Sequence, residues 1–85
     1  MQVRLLYFAW VREAVGVDDE AVDVPSAVAT AAELIDWLAT RGDGYAAAFA
    51  DPERLRCAVD QVMVTLDAPL GSPKEIAFFP PVTGG

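Results

Sequence analysis

The sequence contains no histidine, a single cysteine and only six basic residues, and each shortage removes a class of function. Without histidine there is no side chain poised to exchange protons near neutral pH and no imidazole to hold a metal. One cysteine cannot build an internal disulfide framework. Cys57 has no evident base to activate it and lies in an apolar run, where a small buried thiol is expected rather than a reactive one. A glycine-rich phosphate loop and a metal-ligand cluster are missing as well, so the chain is not expected to catalyse alone or to bind a cofactor or metal. The N-terminal segment has neither a basic stretch nor an apolar run long enough for a signal peptide or a membrane span. A cytoplasmic location with no membrane association is therefore expected.

Six Lys and Arg against 13 Asp and Glu leave a net charge of -7. That charge repels phosphate over most of the surface and argues against nucleic acid as a ligand. Protein partners with basic surfaces fit better, with electrostatic steering of their encounter. At 85 residues the chain has room for one small domain with a modest core, to which a partner can add stability.

Residues 2–10 form an unbroken run rich in Val, Leu, Tyr and Phe, which predicts a strand. Alternation places Val3, Leu5, Tyr7 and Ala9 on one face and Arg4, Leu6, Phe8 and Trp10 on the other. Residues 11–15 predict a helical turn closed by Gly16. Residues 20–24 predict a weaker strand that ends at Pro25. Thr30-Ala31-Ala32-Glu33 is a capping box, in which hydroxyl and carboxylate satisfy each other's orphan backbone N–H groups, so a helix is predicted to start there. Ala31, Leu34, Ile35 and Leu38 follow at helical spacing, and Gly42 stands where a left-handed C-terminal cap is wanted. Residues 45–50 predict a second, shorter helix. Residues 55–59 and 62–66 predict two strands around Asp60-Gln61, a two-residue turn without the favoured glycine. The Gly71-Ser72-Pro73 loop leads into a last strand at residues 75–79. Tyr7, Trp10, Trp37, Tyr45 and Phe49 are read as core or half-buried aromatics.

The resulting order, β-β-α-β-β-β, predicts an α+β grasp in which a mixed sheet packs one face on one main helix. Such a sheet buries one face and solvates the other. Yet Leu6, Phe8, Met63 and Phe79 occupy the phase opposite to Val3, Leu5, Val62, Val64, Ile76 and Phe78. A second apolar face on so small a domain predicts a partner surface, with scattered exposed apolar residues as the alternative.

The last strand runs into Pro80-Pro81-Val82-Thr83-Gly84-Gly85. Two prolines fix φ twice and favour an extended strut, and two glycines form the narrowest backbone available for a tight channel. A C-terminal carboxylate, with a pKa of about 3.5, is a poor electrophile until activated. Adenylation by a separate ATP-using enzyme supplies a leaving group. Gly85, lacking a side chain, leaves the activated carbon open to attack, and Gly84 lets the chain thread the activating site.

The segment 75–85, Glu-Ile-Ala-Phe-Phe-Pro-Pro-Val-Thr-Gly-Gly, resembles the signature of the small subunit of molybdopterin synthase, the MoaD family of ubiquitin-like β-grasp sulfur carriers. The resemblance extends to Leu5-Leu6-Tyr7-Phe8-Ala9, to Val11-Arg12-Glu13, and to Val59-Asp60-Gln61 with Asp67-Ala68-Pro69-Leu70. It implies a β-grasp domain over residues 1–80 and a flexible tail over 81–85. It also implies that an adenylating and sulfurating enzyme converts Gly85 to a thiocarboxylate, and that the tail then donates sulfur to the cyclic pyranopterin precursor in the large subunit. A heterotetramer is implied, with Phe8, Met63, Phe79, Pro80, Pro81, Val82 and Thr83 meeting that subunit. The apolar face read above leaves open a homodimer through the same surface when the subunit is absent. Gly71-Ser72-Pro73-Lys74-Glu75 departs from the acidic turn usual in such relatives. Other readings are a sulfur carrier for thiazole or cysteine synthesis, and a ubiquitin-like modifier joined to lysines through Gly85.

Overall fold

Alternation of apolar and polar side chains sets the first strand, β1 (Gln2–Tyr7), in which Val3, Leu5 and Tyr7 are buried and Gln2 and Arg4 are exposed. The computed structural model describes residues 1–81 and orders the remaining elements as α1 (Ala9–Val15), β2 (Asp19–Asp23), α2 (Ala31–Ala39), α3 (Asp43–Ala48), a 3₁₀ turn (Pro52–Arg54), β3 (Arg56–Val59), β4 (Val62–Val64) and β5 (Glu75–Phe79). The five strands form one mixed sheet in the order β2-β1-β5-β3-β4. Its central pair, β1 and β5, is parallel, and the other pairs are antiparallel. A helical layer covers one face, with α2 as its longest helix, and this is the α+β grasp that the sequence predicts.

The helix α2 begins where its capping box stands. Thr30 Oγ1 accepts from the Glu33 backbone N–H at 3.2 Å, and Glu33 Oε1 accepts from the Thr30 N–H at 3.0 Å. Ala31, Leu34, Ile35 and Leu38 are all buried on one side of the helix. Against them lie Leu5 and Tyr7 from β1, Ile76 and Phe78 from β5 and Cys57 from β3, each essentially inaccessible to water. Full burial of each large apolar side chain contributes about 1.5–3 kcal/mol. Tyr7, Phe49 and Phe78 form an aromatic cluster, with the Phe49 and Phe78 rings edge to face at 5.1 Å.

Several boundaries differ from expectation. The first strand stops at Tyr7, three residues short of Trp10, because Ala9 takes φ 53° and turns the chain into α1. Gly42 does not cap α2. Thr40 does, in right-handed geometry, while Gly42 at φ 155° opens α3. Gly16, by contrast, closes α1 in the left-handed conformation at φ 98° and donates its N–H to Arg12 O at 2.8 Å. The Asp60-Gln61 turn forms as predicted, with φ 48° and 70° tolerated without glycine. β4 ends at Val64 rather than residue 66. Val62, expected in the core, is 64% exposed: it has the core-facing phase but sits at the hairpin end, beyond the helical layer.

Candidate functional site

Among the described residues no element covers the face of the sheet opposite the helices. Cross-strand register fixes what it carries, because residues paired side by side share a face. Leu6 stands beside Ala77, Ala77 beside Ala58, and Ala58 beside Met63, which makes one continuous apolar row across β1, β5, β3 and β4. Leu6, Ala77 and Ala58 are half-buried, and Met63 at the sheet edge is 60% exposed.

Phe8 and Phe79 flank this row, each two residues further along the chain than Leu6 and Ala77. Phe8 extends the β1–β5 pairing by donating its N–H to Phe78 O at 3.1 Å, and its own carbonyl accepts from Val11 N at 3.1 Å at the start of α1. With both backbone groups tied, Phe8 keeps the phase of Arg4 and Leu6 and shows 47% of its surface to solvent. Its position depends on the left-handed Ala9, which turns the chain into α1 one residue later. Such a conformation costs a non-glycine residue about 1–2 kcal/mol.

Phe79 ends β5, paired with Arg56, and is half-buried, as are Pro80 and Pro81. The tail therefore leaves the sheet at the Phe8 end of the open face. Val82, Thr83, Gly84 and Gly85 lie outside the described residues. Of the expected partner residues, Phe8 and Phe79 share one end of the face, and Met63 is joined to them through Leu6, Ala77 and Ala58. The two alanines carry little hydrophobic signal in the sequence, and only the register gives them a role.

Charge is distributed unevenly around the row. Asp19 and Asp23 line the β2 edge, with Arg4 bridged to Asp19. At the opposite side Arg56 is held by its own neighbourhood, its Nη1 donating to Leu55 O at 2.8 Å and Glu53 O at 3.2 Å. The far end of β5 is anchored through Asp60. Its Oδ1 accepts from the backbone N–H groups of Lys74 and Glu75 at 2.9 and 3.0 Å, so the turn that departs from the usual acidic pattern is fixed by an acid from the neighbouring hairpin.

On the helix side, Glu20 accepts hydrogen bonds from Tyr45 Oη at 2.6 Å, Tyr7 Oη at 2.7 Å and Arg41 Nη1 at 3.2 Å. Burial alone would raise its pKa. The bonds from Tyr45 and Tyr7 together with the Arg41 charge outweigh that and hold the carboxyl below its ordinary range. Tyr7 is pushed up, first by burial and then by its bond to Glu20. This cluster ties β1, β2, α3 and the loop after α2 together. Cys57 lies under the sheet with no exposed surface, and burial pushes its thiol up to about 11. It is chemically quiet. Among the described residues no three His, Cys, Asp or Glu side chains converge to hold a metal ion, and no helix is long and apolar enough to cross a membrane.

Fold and face together define a ubiquitin-like β-grasp domain that presents an apolar sheet surface beside the Phe79 end of β5. The chain belongs to the ThiS family, whose model covers residues 5–85. It is 43% identical over 83 residues to the molybdopterin synthase sulfur carrier subunit of Escherichia coli, with 98% of this chain and 99% of that protein covered. The subunit of the same name from Haemophilus influenzae is 40% identical over 83 residues, with the same coverage. Among solved structures, SAMP1 from Haloferax volcanii superposes with a TM-score of 0.70 over the whole of both chains at 23% identity. A putative molybdopterin converting factor subunit 1 from Pyrococcus furiosus gives 0.68 at 23% identity, over 96% of this chain and 99% of that one. At such identities the structural likeness speaks for the fold alone.

Proposed function

We propose that this chain is the sulfur-carrier subunit of a molybdopterin synthase. The observation that carries the reading is near-full-length similarity, at 40–43% identity, to proteins of that name, with the family region reaching Gly85. In this reading residues 1–80 are the docking domain and 81–85 the reactive tail. The Gly85 carboxylate attacks the α-phosphorus of ATP on a separate enzyme, releasing pyrophosphate, and a sulfide-level nucleophile then displaces AMP to leave a thiocarboxylate. The chain itself holds no cofactor. Its task is to dock through the open face and deliver the tail, which the Pro80-Pro81 strut aims and Gly84-Gly85 makes narrow enough to enter the large subunit. There the thiocarboxylate donates sulfur to the cyclic pyranopterin precursor.

The large subunit lies across Phe8, Phe79 and the Leu6–Ala77–Ala58–Met63 row, in a cytoplasmic heterotetramer. Removing Gly85 is expected to leave large-subunit binding nearly intact while abolishing molybdopterin formation; loss of binding together with product would contradict the division of labour. Because the family model is that of ThiS, a carrier for thiazole synthesis is the second reading. Offering the purified thiocarboxylate to each acceptor system separates the two, and delivery only to thiazole would reject the first.

A further inference from the structure

The open face leaves one exposed group unexplained. Val62 is 64% exposed and Met63 is 60% exposed, the two most exposed large apolar side chains among the described residues. They point to opposite sides of the sheet. Met63 shares the open face with Ala58, whereas Val62 pairs with Val59 and has the phase of Ile76 on the helix side. A partner lying flat on the open face covers Met63 and leaves Val62 bare.

Only something seated along the β4 edge reaches both. In a two-residue hairpin the closing pair, here Val59 and Val62, is the hydrogen-bonded one, so the Met63 N–H and C=O turn outward from the ladder. Among the described residues β4 pairs with β3 alone, and Val62–Val64 carries no charge or proline to protect that edge. The other edge strand, β2, is guarded by Asp19, Glu20 and Asp23. Beside β4 runs a largely apolar groove of about 430 Å³, with Met63, Val64 and Leu66 in its lining beside Arg56 and Thr65.

We infer that the partner covering the open face also packs an extended strand of its own along β4, with apolar side chains at alternate positions and a neutral or basic character. This rests on the docking reading proposed above, with which the edge is continuous through Met63. A second copy of the chain fits less well, because it would bring another net charge of -7 against the first. Strand addition supplies main-chain bonds for affinity and side-chain pockets for specificity.

The test uses the purified chain and the molybdopterin synthase large subunit of the same organism. Val62→Lys and Val62→Glu are each expected to weaken binding by about tenfold or more, whichever the sign of the charge, as loss of a buried valine contact implies. Hydrogen exchange at the Met63 amide is expected to slow on complex formation. If Phe8→Ser weakens binding while both Val62 variants bind normally and the Met63 amide stays unprotected, the edge inference falls and open-face docking stands. Weakening by Val62→Lys alone would mean a charge effect and would also overturn it. Unchanged binding by Phe8→Ser and both Val62 variants would remove the docking reading itself. Concentration-dependent protection of Met63 in the isolated chain, abolished by Val62→Glu, would assign the edge to a second copy instead.

Discussion

Gly44 sits in the first turn of α3 with its Cα pressed against the end of α1. A Cβ built there would lie closer than 3.0 Å to the Ala14 carbonyl oxygen, a separation real Cβ atoms essentially never show, and 3.4 Å from the carbonyl carbon. Two effects oppose each other in Gly44→Ala. Helix propensity favours alanine by about 1 kcal/mol in a helix interior, and by less this close to the N-terminus. Against it, the obstacle is backbone, which cannot rotate aside as a side chain would. α3 must move away from α1, disturbing buried Ala48 and the Tyr45 bond to Glu20. Overpacking of this kind costs about 1–3 kcal/mol, with unyielding backbone at the upper end. The expected net is a loss of about 2 kcal/mol, or a fall in Tm of roughly 8–16 °C for a domain of this size. Urea unfolding followed by circular dichroism measures it, with the midpoint lowered and the slope unchanged. A Gly44→Ala protein as stable as the parent would refute the close approach of α1 and α3 on which the reasoning depends.

Other consequences follow from the polar cluster, the cap, the face and the thiol. Because the Glu20 carboxyl is held below its ordinary 4.5, its contribution is present above that value and is lost as pH falls through the lowered one. The stability gap between parent and Glu20→Gln, about 1–2 kcal/mol at pH 7 from the lost charged hydrogen bonds, should therefore close in acid; a gap independent of pH would exclude the carboxylate as its source. Thr30→Ala breaks the capping box and should cost about 1 kcal/mol in denaturant unfolding, with no change in partner affinity measured by calorimetry. Ala58→Glu puts a charge in the middle of the apolar row and should abolish large-subunit binding while leaving the fold intact by circular dichroism; retained affinity would move the docking surface elsewhere. Native Cys57 should resist iodoacetamide until the protein unfolds, and rapid alkylation mapped to Cys57 would contradict its burial.

Much of the fold was legible because local chemistry and tertiary packing agree. The capping box at Thr30, the apolar stripe of α2 and the β5 run each specify their element without help from neighbours. Where they disagree, the sequence misleads. Phe8, Ala9 and Trp10 continue a strand-like run, yet Ala9 adopts a left-handed conformation that alanine does not advertise. Gly42 looks like the cap of α2, but the helix ends at Thr40 and the glycine serves the next one. Val62 has core phase and core chemistry; its exposure comes from the length of the hairpin relative to the helical layer, which no local pattern encodes. The candidate site divides in the same way. Phe8, Met63 and Phe79 stand out as apolar residues in the wrong phase, whereas Ala58 and Ala77 gain their importance only from the register that lines them up.

The central claim, that Gly85 carries transferable sulfur, is tested most directly by the intact mass of the chain isolated from cells containing its own activating machinery, before and after alkylation under native conditions. The buried Cys57 helps here, since it should not compete for the reagent. The account predicts a mass gain equal to one oxygen-to-sulfur exchange and a single alkyl adduct mapped to Gly85. A plain carboxylate at Gly85, accompanied by protein conjugates linked through that residue, would contradict it and leave a protein modifier in its place.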